Sequence, residues 1–130
     1  MFQLEQKFGY KTNMKFNLEN YTIASMIFLG NNLKLILISS NEQDANKVVE
    51  LTEVVGFLET KVDGNLFWFR VNEGGSSYNF DLSLRLQRPE VKNFKEVFLF
   101  VDKACVNFTF RAAAKYVLFR DWSENDKWLQ

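Results

Sequence analysis

The residues in this chain with the most obvious capacity for chemistry are carboxylates. Between Asn41 and Gly64 stand Glu42, Asp44, Glu50, Glu53, Glu59 and Asp63 against only two lysines, whereas the rest of the chain carries ten acids against fourteen bases. Two suitably spaced carboxylates can hydrolyse a glycosidic bond without any other titrating group. No Asp or Glu pair here sits in a context that defines such a site. A concentration of negative charge on one element is better suited to holding a basic partner, and Glu50, Glu53 and Glu59 are the residues placed to steer that encounter. An ordinary solvated helix face would carry the same acids.

Other routes to catalysis are closed by composition. The chain has no histidine, which removes the usual general base at neutral pH, the Ser-His and Cys-His nucleophile pairs and the commonest zinc ligand. Cys105 is the single cysteine, so no internal disulfide forms and a reducing, cytoplasmic setting fits. Its surroundings, "KACVNFTF", read as a buried strand rather than a reactive thiol. "EGGSS" lacks the spacing and the lysine of a phosphate-binding loop. The expectation is a non-enzymatic protein with no cofactor and no metal.

Sixteen basic and sixteen acidic residues cancel, so no global field draws the chain to nucleic acid or an anionic membrane. The apolar stretches, such as "IASMIFLG", fall far short of the ~20 residues of a membrane span, and "MFQLEQKFGY" does not read as a secretory signal. With 130 residues, one proline and no repeat, residues 1–130 are expected to form a single globular domain.

The elements that must position any site are mostly strands. "YKTNMKFNLE", "YTIASMIFL" and "LKLILIS" are β-rich, the last two separated by the turn signal "GNN". Residues 35–38 are apolar on both faces, which marks a central strand. Further on the period changes. Val48, Leu51, Val55 and Leu58 share one helical stripe, Ser40 and Gln43 match a capping box, and Glu42 and Asp44 suit a first turn. These signals predict one main helix, about 41–61, packed on one face of a sheet.

"LFWFRVNEGGSSYNFDLSLRLQ", residues 66–87, then pairs a strand apolar on both sides with a strictly alternating one. In the second arm Asn79, Asp81, Ser83 and Arg85 turn away from the core. "KEVFLFVD" is apolar on both faces, and "CVNFTFR" places Val106, Phe108 and Phe110 opposite Asn107, Thr109 and Arg111. "AAAKYVLFRDW" is open between strand and helix. The polar positions Asp81, Arg85 and Arg111 would form a hydrogen-bonding sheet face of the kind that recognises a protein. Fourteen phenylalanines serve a packed core, or line a cavity for an apolar ligand. A stacking platform for single-stranded nucleic acid needs several basic residues among exposed aromatics, and only Arg70 accompanies "LFWF".

The fold expected is therefore α+β: a curved antiparallel sheet of about six to eight strands with one main helix. The function expected is a non-catalytic protein-binding module, a small cytoplasmic inhibitor or immunity-type protein that occludes a partner enzyme, a basic enzyme being the match for Glu50, Glu53 and Glu59. The alternative is a carrier with an aromatic-lined cavity for an apolar ligand. A homo-oligomer joined through an apolar strand edge is a third reading.

Overall fold

The turn signal and the β-branched runs on either side of it form a hairpin. Strands β3 (Tyr21–Leu29) and β4 (Asn32–Ser39) pair antiparallel, with Leu29 opposite Asn32. Gly30 takes φ 65° ahead of Asn31, the arrangement of a II′ turn, whose twist matches that of the strands it joins. The computed structural model describes residues 5–7, 14–59, 65–72 and 94–129.

The remaining strands are β1 (Glu5–Lys7), β2 (Met14–Asn17), β5 (Lys47–Glu59), β6 (Trp68–Asn72), β7 (Lys95–Phe100) and β8 (Phe108–Asp121), followed by a 3₁₀ turn at Glu124–Leu129. Among the described residues the eight strands form one sheet in the order β2-β6-β7-β8-β5-β4-β3, and every ladder is antiparallel. β1 pairs with the far end of β8, beyond the part that β7 covers.

The predicted helix at 41–61 is absent, and the α+β class gives way to a nearly all-antiparallel sheet. Residues 47–59 are β5, a long strand between β4 and β8. Its inward residues are Val49, Leu51 and then Val54, because the strand changes parity at Thr52–Glu53. The predicted stripe mixes the two faces: Val48 is buried on the outward side and Leu51 on the inward side, so burial on both faces of one strand supplies apolar residues three apart. The β-branched content of "KVVELTEVV" favours strand, and burial on both sides decides the matter. The capping-box residues serve a loop instead. The Asn41 carbonyl accepts from the Asp44 amide at 3.0 Å, and Asn41 Oδ1 accepts from the Gln43 amide at 3.1 Å.

One face of the sheet holds the core. Leu33, Leu35 and Leu37 of β4, Phe69 and Val71 of β6, Val97 and Leu99 of β7, and Phe110, Ala112, Ala114, Val117 and Phe119 of β8 join Val49 and Leu51 in one buried cluster. The sheet curls round this cluster. Phe16 on β2 lies three places from β8 in the order, yet its ring reaches that of Phe119 at 5.0 Å, and Phe69 stands 5.0 Å from Phe119. A tight corner brings the two ends of the order together. The Tyr21 amide donates to the Leu18 carbonyl at 2.9 Å, and the Leu66 amide donates to the Tyr21 carbonyl at 2.8 Å.

Three further expectations meet the structure here. Residues 112–114 are strand, and all three alanines are fully buried, so their small size serves close packing between β5 and β7 rather than helix propensity. Phe108 and Phe110 do not share a face. The register shifts so that Leu99 opposes Phe110 while Phe100 opposes Phe108, and Phe108 turns outward against Phe98. Cys105 is not in a strand but half-buried in the β7–β8 connection, at φ 57°.

Candidate protein-binding surface

The outward face of the sheet carries the charged residues in a defined order. Arg120 on β8 is 8% exposed and forks onto Asp126 of the 3₁₀ turn at 2.7 and 2.8 Å. It also reaches Glu50 on β5 at 3.3 Å, and Glu50 pairs with Lys34 on β4 at 3.1 Å. The turn is thereby fastened over the outward side of β5 and β8, where Ile36 and Val48 are fully buried. The guanidinium and the Ser123 amide hold the Asp126 carboxyl down at about 2. Two cations and two anions balance in this network.

Next to it the sheet breaks its regular alternation on two strands at once. Inward positions run Leu51 to Val54 on β5 and Ala114 to Val117 on β8, so Thr52–Glu53 and Lys115–Tyr116 turn out side by side. Glu53 adopts φ 56°, and its amide donates to Asn32 Oδ1 at 3.1 Å. A non-glycine residue in the left-handed region costs of the order of 1 kcal/mol and persists only where its surroundings impose it. Lys115 Nζ stands 3.5 Å from Glu53 Oε2, with both side chains about half exposed, and the carboxylate raises the lysine's pKa.

Two large apolar groups stand out from this face. Tyr116 is 55% exposed and Leu29, at the tip of the β3–β4 hairpin, 59%. A cleft of about 170 Å³ is lined by Ile27, Leu29, Lys34, Glu50 and Thr52. A second, of about 340 Å³, lies on the other side of the hairpin tip against Phe28, Gly30, Val54 and Val55. An apolar centre with a charged rim, Tyr among its anchors, is the composition of a protein interface. Comparison with protein-family models, with curated proteins and with solved structures gives no match.

The residues singled out in the sequence are not gathered in one place. Glu53 is on this surface. Glu50 lines its cleft, but its carboxylate is committed to Lys34 and Arg120. Glu59 is exposed at the far end of β5, opposite Phe110 in register. Arg111 lies on the outward side of β8 with its guanidinium 4.9 Å from the Phe108 ring. Asp81 and Arg85 fall outside the described residues.

Sequence reasoning missed Leu29 and Tyr116, which read as ordinary strand positions. It also missed a second cluster. The register lines up Lys15, Arg70, Phe98 and Arg111 across β2, β6, β7 and β8, with Trp68, Phe100 and Phe108 in the neighbouring row. Lys15 Nζ is 4.1 Å from the Trp68 ring. Only the strand order brings these bases to the aromatic run, and no spacing along the chain shows it. Phe100 is 5% exposed and Glu96, on the same face, is fully buried, so the row is much less open than the hairpin tip. Both Glu96 oxygens lack a hydrogen bond, and burial pushes its pKa up to about 7 against the pull of Arg111 and Arg70.

Among the described residues no three His, Cys, Asp or Glu side chains are grouped to hold a metal, and no helix is long and apolar enough to cross a membrane.

Proposed function

We propose that this protein is a non-catalytic binding module that occludes another protein, in the manner of a cytoplasmic inhibitor or immunity-type protein. The observation that carries the reading is the exposure of Leu29 and Tyr116 on one face, Leu29 in the wall of a cleft that Lys34, Glu50 and Thr52 also line, Tyr116 opposite Thr52 in register beside the Glu53–Lys115 pair. Strained backbone at Glu53 in the same patch agrees with a surface shaped for contact. The partner is a protein that offers apolar groups to the cleft. Glu59 and the half-exposed Glu53, the latter shared with Lys115, are accessible to basic groups on it, whereas Glu50 is neutralised by Lys34 and Arg120. Affinity then comes chiefly from apolar burial, and salt weakens it only modestly.

The test compares affinity capture from native lysate by the parent and by a Leu29→Asp/Tyr116→Ser double variant. A protein held by the parent and lost by the variant supports the reading. Equal retention by both, or retention by neither, overturns it.

A further inference from the structure

Among the described residues the sheet order ends at β3, and that strand differs from the other described ones. Every other described strand carries at least one charged residue, including β2 at the opposite end of the order with Lys15. β3, "YTIASMIFL", has none and no proline. Natural edge strands are normally blunted by charge, proline or cover, because unpaired amides and carbonyls are a template for another strand. Past Tyr21, whose carbonyl is taken by Leu66, residues 22–27 have no backbone partner on their outer edge among the described residues.

We propose that two copies of the chain join antiparallel through the outer edges of their β3 strands. Backbone at residues 22–27 without a partner among the described residues calls for an extended chain as occupant, and the absence of charge calls for one equally neutral. β3 of a second copy meets both needs, and a two-fold axis brings no like charges together. Ala24 and Ser25, in the middle of the strand, are small enough to let the backbones approach. The bulge between Ile23 and Ser25 bends the strand but leaves Ser25–Leu29 in regular register with β4. Ile27 and Leu29 line the outward cleft, so pairing at the edge sets the two clefts side by side and covers neither. This dimer does not depend on the binding role proposed above.

The experiment is light scattering after size exclusion, over a concentration series, on the parent chain and on Ala24→Lys and Ile27→Lys. A single-strand interface is small, so the parent should pass from 15.3 kDa to twice that mass between about 1 and 500 μM. Both lysine variants should stay at the lower mass, with unchanged circular dichroism. Ala24 is exposed, so its variant tests the edge without touching the core. In the parent, amides of residues 22–27 should exchange several-fold more slowly at the high concentration than at the low. A constant 15.3 kDa, dimerisation of Ala24→Lys like the parent, or exchange independent of concentration each overturns the proposal.

Discussion

Replacing Asp126 with Asn tests the fastening of the 3₁₀ turn directly. The carboxylate is 2% exposed, accepts two bonds from Arg120, and takes the Ser123 amide at 2.9 Å. Its pKa falls from 3.8 to about 2, and each unit is worth ~1.4 kcal/mol, so ionised Asp126 contributes about 2.5 kcal/mol at neutral pH. Because the folded value lies below the unfolded one, the contribution is complete above about pH 5 and disappears as the pH falls through 3.8 to 2. Asp126→Asn should therefore lose about 2.5 kcal/mol at pH 7, and about half of that at pH 3, where the parent has already lost the rest. Urea unfolding followed by tryptophan fluorescence at the two pH values measures both. A loss under about 0.5 kcal/mol at pH 7, or one that stays the same at pH 3, refutes the argument. Replacing Arg120 and Asp126 together by apolar residues should cost less than Asp126→Ala alone, because no buried charge is then left unpaired.

Glu96 has the opposite sign. Its folded pKa, about 7, lies above the ordinary 4.5, so the fold favours the protonated form and stability falls as the pH rises from 4.5 through 7. The parent should lose about 2.5 kcal/mol between pH 5 and 8, while Glu96→Gln stays level over that range; parallel curves would refute it. At Glu53 the backbone angle sets the ranking. Glu53→Val should cost about 1–2 kcal/mol and Glu53→Gly should cost nothing, since a β-branched residue is worst in the left-handed region and glycine best. Equal melting temperatures for the two would show that φ 56° is not imposed in solution.

The strands at 21–29 and 32–39 are legible in the sequence because β-branched runs flank a two-residue turn and the apolar pattern of 35–38 marks an inner strand. β6 and β7 follow the same logic, with Phe69 and Val97 inward and Trp68 and Phe98 outward. β5 misleads because it buries apolar residues on both faces, Val48 outward and Leu51 inward, and their spacing of three reads as helical. Phe108 misleads for a different reason, the register shift between Leu99 and Phe100 that turns it outward. A bulge needs no special residue type, so periodicity alone does not find it. The candidate surface was legible in part. Glu53 carries a charge that draws notice, but the exposure of Leu29 and Tyr116 follows from a hairpin tip and a paired irregularity that exist only once β5 and β8 are side by side.

The position of β8 also governs how the chain reaches this state. It is the last strand of the sheet in chain order, yet it joins β5 to β7 and accepts β1. During synthesis the meander β3-β4-β5 can form early from neighbouring segments, and β6 and β7 can pair, but neither half closes its core until residues 108–121 have emerged. Until then the long edge of β5 and the edge of β7 stand open, each bearing apolar residues. Closure over such sequence distances is slow. The growing chain thus spends its most aggregation-prone interval waiting for the strand at its centre.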